Sequence, residues 1–400
     1  AEVILGWVCR VCGAEVEIAR PFSWTCPSAG ADDPRHVLRL VDDGVESEVI
    51  DDANPFVRFA RRMAWFSFAA GNGMSEAEAL SLARSVANGF LVTPFAVNGP
   101  LSERFGVEVW VKDETGQLAG SHKARHLVSV MLHLRVAEEL GLLAERPPLA
   151  ISSCGNAALA ASTLAARESW PIEVFVPTWM DPAFGSAMDA LGASVHRCER
   201  AAGDPPGDPA MAGFRSAVAA GSVPFSVQGP VNAWCLDGGR TIGWEMAAVG
   251  APVSELVVQV GGGALASCAA QGLGGSVSLL AVQAEGCAPL ERAVTAVGDD
   301  ADPASRWAEV MTPWEEPHSL ADGILDDETY DWLAVLEAMR VSGGRPVVVS
   351  EASVVEAVEV ARSAGLRVSP TGAAGVAALV EGAQSGPVAV IASGVDRSGA

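Results

Sequence analysis

The stretch Leu256-Val-Val-Gln-Val260-Gly261-Gly262-Gly263-Ala264-Leu265-Ala-Ser-Cys-Ala-Ala-Gln271-Gly-Leu-Gly-Gly-Ser-Val-Ser278-Leu-Leu-Ala-Val-Gln283-Ala284 contains no charged residue. It is long enough to span a bilayer, so a membrane helix competes with a buried unit of a soluble fold. Six glycines and three glutamines interrupt it, and the glycines fall in clusters. It divides into a strand over Leu256–Val260, a glycine turn, a helix over Ala264–Gly272 and a strand over Ser278–Val282. A buried βαβ unit explains the unbroken apolarity, because parallel strands covered on both faces read as continuous hydrophobic runs. No membrane span is expected.

The same alternation continues outward on both sides. Strand-like runs at Leu149–Ser152 and Ile172–Val176 flank a helical pattern over Asn156–Arg167. Further strands are predicted at Ser194–Cys198, Glu255–Val260, Pro346–Ser350 and Pro387–Ala392, with helical segments between most of them. The class is α/β, with a mainly parallel sheet and helices on both faces. From Asp51 to Asn88 the pattern is helical. Ser75-Glu-Ala-Glu78 forms a capping box, and Leu80, Ala83 and Val86 recur at helical spacing. The aromatic residues Phe56, Phe59, Trp65, Phe66 and Phe68 read as core or subunit interface. The run Gly203-Asp-Pro-Pro-Gly-Asp-Pro209 reads as a loop.

Half of the 400 residues are hydrophobic and 19% are charged, as in a globular chain with a large core. A net charge of −23 opposes binding to nucleic acid or to an anionic membrane surface. No signal peptide is read at the N-terminus. Eight scattered cysteines fit free thiols in a reducing cytoplasm better than a disulfide framework. Cys9-Arg-Val-Cys12, followed by Cys26-Pro27 and then His36, is patterned like one and a half arms of a zinc ribbon. Ala29 stands where a second cysteine of the later knuckle is expected. The alternatives are a structural Cys₃His zinc site and a ribbon without metal.

Four strand-to-helix junctions carry chemistry-bearing residues. Gly120-Ser121-His122-Lys123-Ala124-Arg125-His126 follows the strand-like run Val107–Val111 and opens an amphipathic run from Leu127 to Leu140. A lysine there is partly desolvated, which lowers its pKa and makes it a nucleophile toward carbonyls. Ser152-Ser153-Cys154-Gly155-Asn156 offers amides and hydroxyls to a carboxylate, or ordinary helix capping. Gly261-Gly262-Gly263-Ala264-Leu265 allows close approach of an anion to a helix start. A dinucleotide site is its rival: the G-x-G-x-x-G spacing ends on Ala266, and Glu285 lies where a ribose-binding acid is expected. Ser369-Pro370-Thr371-Gly372-Ala373-Ala374 is a loop feeding a small-residue helix, Gly375–Val380.

In this order the four motifs resemble the pyridoxal-phosphate enzymes of the tryptophan-synthase β type, fold type II, from about Phe90 to Ile391. Threonine synthase and the threonine/serine dehydratases are the nearest members. Leu320-Ala-Asp-Gly-Ile324 is similar to a segment common in them. The resemblance implies two open, mainly parallel sheets with flanking helices and a small zinc-ribbon-like N-terminus. The expected divisions are a ribbon over 1–45, N-terminal helices with part of a large cofactor domain over 46–145, a small α/β domain over 146–234, and the rest of the large domain over 235–400.

The resemblance also implies roles. Lys123 holds pyridoxal 5'-phosphate as a Schiff base and moves the Cα proton. Asn156 bonds the phenolic oxygen, the amides of Gly261 to Leu265 bind the phosphate, and Thr371 meets the pyridine nitrogen. Ser152, Ser153, Cys154 and Gly155 take the substrate carboxylate. His122 stands where phenylalanine is usual and resembles the Ala-His-Lys of tryptophan synthase β, which places it beside the phosphate. The implied activity is elimination or replacement at Cβ or Cγ of an L-amino acid by a cytoplasmic homodimer. A specialised β-replacement synthase and a non-catalytic binding protein on the same fold are the alternatives.

Overall fold

The computed structural model describes residues 4–30, 32–44, 47–200 and 208–397. Three sheets organise them. The first is antiparallel, with Ile4–Cys9 between Glu15–Glu17 and Leu38–Asp42. The largest runs in the order Arg345–Val349, Ser278–Ala284, Glu255–Gln259, Val388–Ala392, Val109–Asp113, Phe95–Val97. All its neighbours are parallel except the last pair, where Phe95–Val97 lies antiparallel at the edge. The third sheet is wholly parallel, in the order Ser194–Cys198, Ile172–Pro177, Leu149–Ser152, Val223–Pro224. The chain therefore has the α/β class with two mainly parallel sheets.

The uncharged stretch forms the expected βαβ unit. Glu255–Gln259 and Ser278–Ala284 pair in parallel across the helix Ala264–Leu273, and the first strand is buried throughout. Among the described residues no helix is long and apolar enough to cross a membrane. The capping box at Ser75 and Glu78 is present in both directions. Of the loop expected at 203–209, residues 203–207 lie outside the described residues, and Asp208 caps the helix Pro209–Ala219.

Two local expectations change. The lysine-bearing helix begins at Lys123 and runs to Glu139, and it is not amphipathic. Leu127, Val128, Val130, Met131, Leu132 and Leu134 are fully buried around its circumference, because helices surround it: Ala64–Gly71, Glu76–Val86, Asn156–Arg167 and Trp234–Val249. Burying six such side chains is worth on the order of 10 kcal/mol, so Lys123 stands on a rigid element. Gly238 permits the closest crossing, since a Cβ there would collide with the Arg125 carbonyl. Second, the small-residue helix starts at Pro370, with Ser369 as its N-cap, so Thr371 lies in the first turn rather than in a loop.

The N-terminal segment docks on the lysine-bearing helix through the loop after its second strand, and on the helix Trp234–Val249. Phe22 N–H donates to His133 Nε2 at 3.1 Å and Trp234 Nε1–H donates to the Ser23 carbonyl at 3.0 Å. Trp7 meets Trp234 edge-on with centroids 5.3 Å apart.

Candidate active site

Three neighbouring strands of the large sheet end side by side, and each delivers part of the site. Val109–Asp113 leads to Lys123, Val388–Ala392 to Ser393-Gly394, and Glu255–Gln259 to Gly261–Gly263. Convergence at the carboxyl ends of parallel strands is where open α/β sheets place ligands. Leu149–Ser152 of the third sheet brings the fourth segment, Ser153–Asn156.

Lys123 is packed among protein atoms, and burial lowers its pKa, with Asp326 and Cys235 opposing the shift. Beside it, His122 is held twice by the Ser393 carbonyl, through its backbone N–H at 3.1 Å and its ring Nδ1 at 3.0 Å. Donation from Nδ1–H leaves Nε2 as the acceptor. Burial, then the neighbouring Lys123 and His126, hold the His122 pKa well below its ordinary value. Ser121 carries a buried hydroxyl without a hydrogen-bond partner.

Besides the lysine-bearing helix, two helix starts at the site are left without side-chain caps. The helix Asn156–Arg167 begins after Gly155, and neither Ser153 nor Asn156 caps it, so its first N–H groups stay open to a ligand. The helix Ala264–Leu273 begins after Gly263 at φ +98°, again with no side-chain cap. The carboxylate of Asp326 lies against this glycine loop, near the Gly262 amide and within the field of Lys123. A Cβ at Gly261 would collide with it. Burial, followed by the adjacent Asp327, raises the Asp326 pKa to about 6, while Lys123 opposes the rise.

Thr371 Oγ1 accepts from Gly323 N–H at 2.9 Å and lies 3.1 Å from Asp322 Oδ1, so it faces the Leu320–Ile324 segment. Another hydroxyl, Ser393, accepts from Gln259 Nε2 at 2.6 Å, between the lysine and glycine loops. Cys154 is half-buried, and burial raises its pKa.

Residues 86–394 match the family model described as pyridoxal-phosphate dependent enzyme. The chain belongs to this family. It is similar to a threonine synthase of Methanosarcina acetivorans, at 27% identity over 300 residues, covering 72% of this chain and 68% of that one. The fold is similar to maize serine racemase, with a TM-score of 0.64 at 20% identity over 80% of this chain and 93% of that one. It is also similar to the threonine deaminase of T.th., with a TM-score of 0.63 at 22% identity over 81% and 98% of the two chains.

The residues present fit the family's cofactor. A lysine of lowered basicity, an uncapped glycine cradle and an orphaned hydroxyl at Ser121 meet at one place. The Asp326 carboxylate lies at the cradle, close to the Gly262 amide. Sequence reading missed Asp326, Ser393 and Gln259. The acid-dense run Asp326-Asp327-Glu328 was the available signal for the first. The other two carry none, since Ser393 meets His122 across 271 positions.

The metal motif also closes in space. Ligand atoms of Cys9, Cys12, Cys26 and His36 lie within 4.8 Å of one another. Cys9 Sγ is 3.4 Å from His36 Nδ1 and Cys12 Sγ is 3.6 Å from Cys26 Sγ. Zinc–sulfur bonds of about 2.3 Å give tetrahedral edges of about 3.8 Å, so the cluster fits zinc. The long gap between Cys26 and His36 is closed by strand pairing, Cys9 lying opposite Leu38. His36 Nε2 meets Asp33 Oδ2 at 3.2 Å, the outer carboxylate that a zinc-bound histidine uses.

Proposed function

We propose that this enzyme carries out elimination or replacement at Cβ or Cγ of an L-amino acid, as a pyridoxal-phosphate dependent lyase or synthase. The observation that carries this reading is the placement of a weakly basic Lys123 between two uncapped helix starts. When bound, pyridoxal 5'-phosphate supplies the electron sink for charge developing at Cα. Lys123 binds the cofactor and takes and returns the Cα proton; burial lowers its pKa, which makes the free amine easier to reach than for an exposed lysine.

The amides of Gly261, Gly262, Gly263, Ala264 and Leu265 bind the phosphate, with His122 and the Ser121 hydroxyl beside it. Asn156 meets the phenolic oxygen. Ser152, Ser153, Cys154 and Gly155 take the substrate carboxylate at the open start of their helix. The pyridine nitrogen meets a hydroxyl, that of Thr371 or that of Ser393, the latter lying between the lysine and glycine loops. A neutral hydroxyl does not enforce a charged ring, which favours expulsion of a leaving group over transamination. A threonine synthase relative at 27% identity supports the substrate class.

We also propose a homodimer, a reducing cytoplasmic setting supported by eight free cysteines, a structural zinc ion, and the division 1–45, 46–145, 146–234 and 235–400. Lys123→Ala is expected to abolish both turnover and the visible band of lysine-bound cofactor while far-ultraviolet circular dichroism persists. Conversion at an unchanged rate would overturn the assignment. Serine, threonine, O-phosphoserine and O-phosphohomoserine, read out as ammonia, 2-oxo acid and phosphate, discriminate the leaving group.

A further inference from the structure

The segment after the central strand Val388–Ala392 crosses directly over the lysine loop. Val395 N–H donates to the Gly120 carbonyl at 2.8 Å, and Gly394 bridges to Ser121. This crossing needs Gly120, which sits at φ +71°; a Cβ there would lie 2.7 Å from Val395 Cγ1 and 2.8 Å from an Arg397 nitrogen. The segment thereby carries Arg397 to the site. Its guanidinium donates to the Ala119 carbonyl, and its Nε–H donates to Asn156 Oδ1 at 3.3 Å. Among the described residues no carboxylate pairs with it, and burial lowers its pKa.

A guanidinium has donors only, so it can face only the oxygen of the Asn156 amide. That contact fixes which way the amide points. Oδ1 is held by Arg397, and Nδ2 is turned to the opposite side, toward Gly394, where an ideal Cβ would lie 3.0 Å from it. Without Arg397 the amide can present either end, and the acceptor end repels a phenolate. The contact to a charged donor also withdraws electron density from the amide, which strengthens Nδ2–H as a donor.

We propose that Arg397 is a positioning residue that locks Asn156 as a hydrogen-bond donor toward the cofactor's phenolic oxygen. This rests on the assignment of Asn156 made above. One charge-assisted hydrogen bond acting through another group is expected to change cofactor affinity by about tenfold.

The test is a titration of cofactor-free protein with pyridoxal 5'-phosphate, read by absorbance, in wild type, Arg397→Leu, Arg397→Lys, Asn156→Ala and the Arg397→Leu/Asn156→Ala double variant. Arg397→Leu is expected to bind about tenfold more weakly and to shift absorbance from the visible band toward the near-ultraviolet form with a protonated phenol. Arg397→Lys restores part of both effects. The double variant matches Asn156→Ala alone, because Arg397 acts through that side chain. Two results would each overturn the proposal: an Arg397→Leu spectrum and affinity equal to wild type, or additive losses in the double variant. Absence of the visible band from wild type would instead refute the cofactor role of Lys123, so the two failures are distinguishable. Should Arg397→Leu not fold, Arg397→Lys against wild type carries the spectral comparison, and an unchanged spectrum there would count against the proposal.

Discussion

Beneath the lysine loop lies a closed set of four charges whose balance can be tested. Arg125, two positions past Lys123, is fully buried and donates to Glu114, Glu245, Thr93 and Thr241 at 2.6–3.1 Å. Lys112 is equally buried and pairs with Glu245 and the Thr93 carbonyl. Two cations thus meet two carboxylates with no access to water. Arg125→Met leaves two carboxylates facing one ammonium. The surplus charge can be relieved by protonating Glu114, whose ordinary value is 4.5. At pH 7.5 that costs about 1.4 kcal/mol for each of roughly three pH units, or about 4 kcal/mol. Breaking a buried pair by removing one partner falls in the same range, ~3–5 kcal/mol.

The sign with pH follows. In wild type, burial pushes the Glu114 pKa up, but Arg125 and Lys112 overcome it and hold Glu114 below its usual value. Its stabilisation is therefore present at neutral pH and lost only in acid. In Arg125→Met the carboxyl is protonated in the folded state, so the deficit shrinks as pH falls toward 4.5. Urea unfolding at pH 7.5 and pH 5 is the assay. The sharper comparison is Arg125→Met with Glu114→Gln, which leaves one ammonium against one carboxylate. That double variant is expected to be more stable than Arg125→Met alone. A double variant equal to or worse than the single one, or a single loss under about 1 kcal/mol, would refute the charge-balance reasoning.

Two further outcomes are expected. Protein purified without chelator contains one zinc per chain by atomic emission; Cys12→Ser loses it, and the fluorescence of Trp7 and Trp24 shifts to the red as the ribbon leaves the lysine-bearing helix. Wild-type protein without bound metal would sink this. Asp331 is buried with Oδ1 unpartnered, and burial raises its pKa to about 7, with the Gly229 N–H opposing. A folded-state value above the unfolded one gives stability that is full below about pH 4 and is lost as pH rises through 7. Asp331→Asn is therefore expected to raise the melting temperature at pH 8 and leave it near wild type at pH 4; equal effects at both pH values would refute it.

Much of the site was legible because its parts sit at local junctions. A strand followed by small residues and a helix start is written in contiguous sequence, so Lys123, Ser152–Asn156 and Gly261–Leu265 could be picked out one by one. The cysteine knuckle was legible for the same reason, although the closing distance to His36 was not. Asp326 was hidden because acids in a run read as a solvated loop, and Arg125 because a helical arginine reads as surface. Arg397 was hidden because nothing near it in sequence marks it.

Contiguous residues specify the alternation that makes a parallel α/β fold, the lysine at a strand end and the glycine turn that can accept an anion. These depend on periodicity and on backbone freedom, which are properties of neighbours along the chain. Folding sets which strand ends lie side by side, brings a distal segment across Gly120 to reach Asn156, and balances four charges under the lysine. Those facts depend on parallel pairing between strands far apart in sequence, which no local pattern records.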